Sequence, residues 1–208
     1  MRILGVIVAS LVAAIAVAAP VRAEQDPTEV IKALVNPALQ ILADNTTPLK
    51  DRRQKLRELV NSNFDFIAMS RSALGRYWRE LSDQQRNDFA QVFTAFLEDS
   101  YLRRIQDYSG QQVNFRGQSP IDAANYEVKT NIDQPGGKTP IQVNYTLRQD
   151  NGKWLIDDVT VDDISIAANY RNQFNHVINK QGFDALLADL KRKQQGLEDQ
   201  LGTPHSHD

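Results

Sequence analysis

Residues 64–105 read FDFIAMSRSALGRYWRELSDQQRNDFAQVFTAFLEDSYLRRI, and this stretch decides how the rest of the chain folds. Ser82 and Gln85 have the spacing of a capping box, in which each side chain accepts a hydrogen bond from the other residue's backbone N–H. The box predicts a helix that begins near Asp83. Just upstream, residues 70–74 are expected to end a shorter helix at Gly75, since glycine adopts the left-handed conformation of a C-cap.

The helix that follows the capping box has a wide apolar stripe that is rich in aromatic residues. Its members recur at intervals of three and four, which places them on one helix face: Phe89, Val92, Phe93, Phe96, Leu97, Tyr101 and Ile105. Stripes of this kind are mostly core, and periodicity by itself indicates no more than that.

The first 23 residues have the form of a secretory signal peptide. Arg2 supplies a positive charge, residues 3–19 are apolar, and residues 21–23 (VRA) form a small-x-Ala cleavage site. Because Pro20 interrupts the apolar run early, a cleaved signal fits better than the alternative of an uncleaved membrane anchor. The chain contains no cysteine, which excludes a lipoprotein and any disulfide. We expect export and a mature chain that begins near Glu24.

The composition and length of the chain bear on its partners and on the number of its domains. The formal charge is −2, and it becomes −4 without Arg2 and Arg22, because 22 Lys and Arg then face 26 Asp and Glu. A nucleic-acid binder would normally show a basic field, so we expect no nucleic-acid partner. A mature chain of about 185 residues is long enough for one core. We expect a single domain over residues 24–195 and a polar, disordered tail over 196–208.

The first two helices are predicted from their N-terminal signals. Asp26 and Pro27 begin one helix, which Pro37 is expected to kink or split. A second begins near Pro48 and has a basic surface that includes Lys50, Arg52, Arg53, Lys55 and Arg57. This surface is either a solvated face or, through Lys50, Arg52, Arg53 and Lys55, a docking face for an acidic partner or an anionic membrane.

After residues 108–110 the apolar period changes from 3.6 to 2, which predicts four strands near 113–119, 126–132, 141–147 and 154–161. Asn151 and Gly152 suit a type I′ hairpin turn. In the fourth strand the inward parity shifts between Ile156 and Val159, which predicts a β-bulge. Two helices follow, over residues 165–181 and from Phe183 to about 194. Helices that precede and flank an antiparallel meander predict an α+β fold.

Two groups of residues carry a resemblance to a known family. The first is residues 74–79 (LGRYWR) and 81–86 (LSDQQR) with the aromatic positions that follow. The second comprises Ser165, Asn169, Tyr170, Arg171, Asn172, Gln173, Phe174, Lys180, Gly182, Phe183, Leu186 and Leu187. In this order they resemble the MlaC family, the periplasmic phospholipid-binding components of the Mla lipid-transport system, also called toluene-tolerance proteins. Asp163 departs from the family pattern, which usually has a glycine before the Ile-Ser pair. The family pattern therefore does not predict the geometry of the turn at this position.

The resemblance implies a curved four-stranded antiparallel sheet of the nuclear-transport-factor-like type, with flanking helices that enclose an apolar lipid cavity. It implies a periplasmic shuttle that carries phospholipids between the inner and outer membranes as the soluble component of an ABC-type system and so maintains outer-membrane lipid asymmetry. The implied partners are an inner-membrane ABC lipid-transport complex and an outer-membrane lipoprotein–porin complex. No cofactor is implied, and phospholipid is the cargo. From the residues alone, the helix stripe and the sheet face either close into a dry core or line a pocket.

We expect the acyl chains to contact apolar and aromatic residues from both surfaces: Phe93, Phe96, Leu97, Tyr101, Val128, Val143, Tyr145, Ile164, Ile166, Tyr170 and Phe174. Trp78 is expected in the core instead. The main alternative is a non-enzymatic adaptor with a solid core that binds partners through the basic helix face.

Residues that suit catalysis or metal binding are few. His176 stands alone in the folded part, and His205 and His207 lie in the tail. Adjacent residues on a strand point to opposite faces, so the acidic pairs at 157–158 and 162–163 do not converge by themselves. We expect no enzyme activity, no catalytic residues and no metal site; an enzyme would need a convergent pair that includes Asp157, Asp162 or His176.

Overall fold

The computed structural model describes residues 25–105 and 108–202, and the side chains of all of these except 102–105 and 201–202. Helices α1 (Pro27–Ala43), α2 (Leu49–Asn63), α3 (Phe66–Leu74) and α4 (Asp83–Ile105) precede a sheet, and a 3-10 helix (Gly75–Glu80) joins α3 to α4. The strands are β1 (Val113–Pro120), β2 (Asn125–Ile132), β3 (Ile141–Asp150), β4 (Lys153–Val161) and β5 (Ile164–Ser165). Helices α5 (Ile166–Gln181) and α6 (Phe183–Gly202) follow. The predicted α+β class is confirmed.

The sheet is antiparallel throughout, and the order of its strands in space is their order in the chain. It has five strands, so the expectation of four is wrong. The fifth strand pairs Val161 with Ile164 and Thr160 with Ser165. A strand of two residues is too short to show an alternating pattern, which is why the sequence did not reveal it.

The turn between β4 and β5 explains the departure at Asp163. Asp162 and Asp163 have φ angles of 45° and 65°, the left-handed region that glycine favours and aspartate tolerates. The Asp162 carboxylate also accepts a hydrogen bond from the Gln142 backbone N–H at 3.0 Å. The chain therefore makes a tight reversal here without the family's usual glycine.

Other local expectations are met in the structure. Ser82 and Gln85 form the reciprocal capping box, with bonds of 3.0 and 3.2 Å. The register of β3 and β4 shifts so that Asp157 is an extra residue opposite Thr146 and Leu147, which is the bulge predicted between Ile156 and Val159.

Two helices differ from what the sequence indicated. Helix α1 runs through Pro37 without splitting. Helix α6 continues to Gly202, past the position near 194 where its apolar pattern ends. The predicted signal peptide (1–23) and the end of the predicted tail (203–208) lie outside the described residues. Among the helices that are described, none combines the length and apolarity of a membrane span.

The helices pack on each other through an aromatic cluster. Phe89 and Phe93 of α4 are fully buried. Each makes an edge contact with Phe174 of α5, with ring centroids 5.7 and 5.4 Å apart. Trp78 is buried in the core, as expected, with Arg71 and Arg86 over its ring. Helix α4 is therefore anchored to α5 and α6 at its N-terminal half.

Gly75 ends α3 with φ 57° and ψ −125°, a conformation that costs other residues strain. A Cβ built on it would lie 3.3 Å from Cδ of Arg171. The Arg171 Nε donates to the Ser72 carbonyl at 2.6 Å, which holds its side chain beside Gly75. Glycine at 75 thus allows α5 to approach the end of α3.

Gly75→Ala should destabilise the protein by about 1–3 kcal/mol, because it adds backbone strain and displaces Arg171. Gly196→Ala is the matched control: this glycine lies inside α6 with open space around its Cβ position. The control should stabilise by about 0.5–1 kcal/mol through helix propensity. Urea denaturation measures both, and equal effects of the two substitutions would contradict the prediction.

Candidate functional site

A pocket of about 360 Å³ lies between the N-terminal helices, α4 and the sheet. Its walls are almost entirely apolar. The lining residues are Leu34, Val35, Ala38, Leu39 and Leu42 of α1; Leu56, Arg57 and Val60 of α2; Phe64, Phe66 and Met69 at α3; Leu97, Glu98 and Tyr101 of α4; Val113, Ile132, Val143, Tyr145, Val159 and Val161 of the sheet; and Ile166 of α5.

The sheet side of the pocket follows from the period of 2. Val143 pairs with Val161 and Tyr145 with Val159 across β3 and β4, so all four side chains share one face. Burial raises the pKa of Tyr145 to about 12, and its hydroxyl hydrogen-bonds Thr130, so the ring presents a neutral surface to the pocket. β-Branched and aromatic residues thus form an apolar floor.

The helix side of the pocket carries an ion-pair network. Arg57 of α2 hydrogen-bonds Asp99 of α4, and its Nε lies 3.6 Å from Glu98 Oε2. Asp99 is buried and also accepts from Gln194 of α6 at 3.1 Å. The network therefore joins α2, α4 and α6 beside the pocket.

Arg57 and Glu98 are the two charged residues among those that line the pocket. The Arg57 side chain is 32% exposed and that of Glu98 is 11% exposed, so the pair places charged groups at a partly exposed part of the pocket wall. Burial raises the pKa of Glu98 above its ordinary value, and the negative charge of Asp99 raises it further, whereas Asn61 and Arg57 lower it. The arrangement can hold apolar chains and offers polar contacts at one side.

Five of the eleven residues expected to contact lipid line this pocket: Leu97, Tyr101, Val143, Tyr145 and Ile166. The other six lie elsewhere. Phe93, Phe96, Tyr170 and Phe174 form the aromatic cluster between α4 and α5. Val128 is fully buried in the sheet, and Ile164 is 61% exposed at the start of β5. The lipid contact itself stays a prediction.

Helix geometry explains how the stripe of α4 divides. Residues four apart are rotated by about 40° on an α-helix, so the row Phe89, Phe93, Leu97 and Tyr101 turns gradually around the axis. Its first half contacts α5, and its second half faces the pocket. A sequence pattern gives the width of such a stripe but not the partner of each edge.

The contribution of α1, α2 and α3 to the site is not evident from the sequence patterns. Leu34, Leu39 and Leu42 stand out as an apolar face of α1, and Leu56 and Val60 as one of α2. This signal shows that the two faces point inward. It does not show that they point at a pocket, because that depends on how far the sheet stands away from them.

The basic face of α2 is partly turned inward. Lys50 and Lys55 are exposed, whereas Arg52 and Arg53 are half-buried. Arg52 donates to the Leu42 carbonyl of α1 at 3.2 Å. Arg52 thus contributes to helix packing, and the role of all four residues in docking a partner stays a prediction.

Asp157 and Asp158 of the acidic pairs interact with nearby groups of the fold. The Asp158 carboxylate accepts from the Ser165 hydroxyl and from the Ala167 N–H, so it holds the start of α5. Asp157 is the bulged residue, and burial raises its pKa to about 6, although Arg148 opposes that shift. His176 lies in α5. In the part of the chain that the structure describes, His, Asp and Glu form no group of three with metal-site geometry.

An open antiparallel sheet whose apolar face is covered by helices defines an α+β protein, and here an apolar pocket lies between the two layers. The model of the MlaC protein family matches residues 32–192. This chain belongs to the MlaC family, as the sequence motifs indicated.

Relatives and a solved structure agree with this assignment. The intermembrane phospholipid transport system binding protein MlaC of Haemophilus influenzae is 23% identical over 177 residues, which cover 82% of this chain and 83% of that protein. The toluene tolerance protein ttg2D of Pseudomonas putida is 24% identical over 168 residues, which cover 78% and 77% of the two chains. A phospholipid-binding protein from Ralstonia solanacearum, solved in complex with a phospholipid, has the same fold. Its TM-score is 0.74 at 21% identity, and the match covers 84% of this chain and 99% of that one.

Because of Asp157, the free energy of unfolding of the protein should fall as pH rises. Its pKa of about 6 in the folded protein exceeds the ordinary 3.8, so the folded form favours the protonated acid. The stability that this preference gives the folded protein is fully present below about pH 3.8 and is lost as pH rises through 6. Asp157→Asn should therefore be more stable than the wild type near pH 7, by about 1 kcal/mol after discounting for partial exposure, and the difference should vanish in acid.

Thermal denaturation across this pH range measures the effect. Asp163→Asn is the control, since it makes the same chemical change at an exposed carboxylate near the same strand. Parallel pH–stability curves for the wild type and Asp157→Asn would contradict the prediction.

Proposed function

We propose that this protein is a phospholipid carrier that holds acyl chains in the pocket beneath α1, α2 and α4. The observation that carries the proposal is the pocket itself, whose lining is apolar except for Arg57 and Glu98. Its volume is in the range of small-molecule sites. Membership of the MlaC family supports the proposal, as do a relative named for phospholipid transport and a fold neighbour solved with a phospholipid.

A carrier of this kind solves a solvation problem. Exposing acyl chains to water costs roughly 0.8 kcal/mol per methylene, so about thirty methylenes cost on the order of 24 kcal/mol. The pocket replaces the bilayer with an equally apolar environment, so transfer between the two is close to neutral. This transfer breaks no covalent bond and needs no catalytic acid, catalytic base or cofactor, so the protein acts as a binding protein and not as an enzyme.

The five lining residues from the sequence prediction come from the sheet, from α4 and from α5. Val143 and Tyr145 supply the sheet wall, Leu97 and Tyr101 supply the α4 wall, and Ile166 lies at the start of α5. The head group stays largely outside, so head-group selectivity is weak. Arg57 and Glu98 then lie near the junction of the chains and the polar part of the lipid.

The carrier acts in the periplasm, where the predicted signal peptide would deliver it. It moves lipid between the inner and outer membranes as the soluble component of an ABC-type lipid-transport system and so maintains outer-membrane asymmetry. Its partners are the inner-membrane ABC complex and an outer-membrane lipoprotein–porin complex. Because transfer into the pocket is close to neutral, the direction of transport is set by these partners.

Lys50, Arg52, Arg53 and Lys55 provide the docking face in this scheme. The alternative of an adaptor that acts through this face alone would need a solid core. A pocket of about 360 Å³ argues against a solid core.

Native mass spectrometry of the protein purified without detergent tests the carrier directly. We expect a mass excess that corresponds to bound phospholipid and disappears on denaturation. A clean apo mass, together with no uptake from liposomes, would favour the adaptor.

Val143→Trp should reduce bound lipid about tenfold or more while the protein still folds. Val143 is 7% exposed and lines the pocket, so an indole there fills the space that the chains need. Ile121→Trp is the control, because it adds the same side chain at a 55% exposed position in the β1–β2 turn. Lipid is counted after extraction, and circular dichroism checks folding. Equal lipid content in both folded variants would falsify the assignment of the pocket.

A further inference from the structure

Glu98 is the residue that an apolar ligand alone does not explain. Its side chain lines the pocket and is 11% exposed. Its Oε1 is buried and has no hydrogen-bond partner among the described residues. Buried polar atoms are almost always paired, because an unpaired one loses its hydration without compensation. The unpaired oxygen therefore points to a partner that arrives with the ligand.

The neighbouring cation does not satisfy this carboxyl group. Arg57 donates its hydrogen bond to Asp99, and the 3.6 Å between its Nε and Glu98 Oε2 is too long for a second one. Asp99 is held from its other side by Gln194. The arginine is thus committed to Asp99, and Glu98 is the second carboxylate beside one guanidinium.

The surroundings of Glu98 favour its neutral form when water leaves. Among the described residues, Asn61 and Arg57 of α2 and Asp99 of α4 interact with Glu98, and Asn61 hydrogen-bonds its carboxyl group. Arg53 of α2 and Gln194 of α6 interact with Asp99, and Tyr101 and Tyr145 line the same pocket. The lining residues of α1 are all apolar. A ligand that fills the pocket removes more water from the carboxyl group, which further disfavours its charge.

We propose that Glu98 takes up a proton from solvent as the pocket fills and donates a hydrogen bond to a carbonyl oxygen of the lipid's ester linkage. The inference rests on the proposed carrier function and deepens it. Each acyl chain of an ester lipid begins at a carbonyl, so a buried chain brings this acceptor to the polar side of the pocket, where Arg57 reaches solvent. A carbonyl accepts and cannot donate, so its partner must be the protonated acid.

The hydrogen bond makes the linkage, and not the head group, the feature that the protein recognises. A diether lipid with the same head group and chain length lacks the carbonyl. One hydrogen bond corresponds to about a tenfold difference in affinity. We expect the protein to prefer the diester by about this factor, and the preference to decrease as pH rises and Glu98 loses its proton.

The test is a competition for uptake from vesicles that contain equal amounts of dipalmitoylphosphatidylcholine and its dihexadecyl ether analogue. The phosphocholine head group keeps its charge from weakly acidic to weakly alkaline pH, so any pH dependence comes from the protein. Bound lipids are extracted and counted by mass spectrometry. In weak acid the wild type should take up about tenfold more diester than diether. In weak alkali this excess of diester should be smaller.

Three variants assign the effect to Glu98. Glu98→Gln keeps a donor of the same size, so it should retain the ester preference and lose its pH dependence. Glu98→Leu should lose the preference. Glu58→Gln, at an exposed glutamate of α2, should behave as the wild type does. If Glu98→Leu does not fold, the isosteric Glu98→Gln variant carries the test through its pH profile.

The outcomes separate this inference from the carrier function. Uptake of both lipids in equal amounts by the wild type would overturn the role of Glu98 and leave the carrier intact. Uptake of neither would overturn the carrier. A preference that keeps its pH dependence in Glu98→Gln would come from another group and would also overturn the inference.

Discussion

The edge contacts of Phe89 and Phe93 with Phe174 fix where α4 lies, and the pocket depends on that position. Through these contacts, the first half of the apolar row of α4 packs against α5. The second half, Leu97 and Tyr101, then lines the pocket together with residues of the sheet. If the whole row packed on the sheet, the same residues would make an ordinary closed core. The aromatic cluster is therefore a support for the pocket and not a part of its lining.

Since the walls of the pocket do not pack against each other, contacts at its margins hold them in place. On one side, Arg57, Asp99 and Gln194 connect three helices. On the other, the Asp65 N–H donates to the Ile156 carbonyl at 2.8 Å, and Arg148 pairs with the Asp65 carboxylate. These directional bonds fix a spacing between elements, which non-directional apolar burial would tend to close.

The sequence predicted those features that depend on neighbouring residues. The capping box at Ser82, the glycine that ends α3 and the bulge at Asp157 each have a local cause, so each was visible as a pattern. The pocket depends on distances between elements, and only five of the eleven residues expected to contact lipid line it. Phe96 and Leu97 are adjacent in the stripe, yet one contacts α5 and the other the pocket. No local rule separates them, because the distinction arises from the packing of α4 on α5.

The order of the strands has a consequence for how the chain folds. Each strand pairs with the strand before it in the chain, so sheet formation closes only short loops and costs little chain entropy. Contacts between distant segments join the N-terminal helices to the sheet, as in the bridge between Phe64 and Ile156, and they also join α3 to α5 and α4 to α6. Contacts of high sequence separation form slowly. The pocket is bounded by these late contacts, so it is expected to be completed at the end of folding, when the meander is already in place.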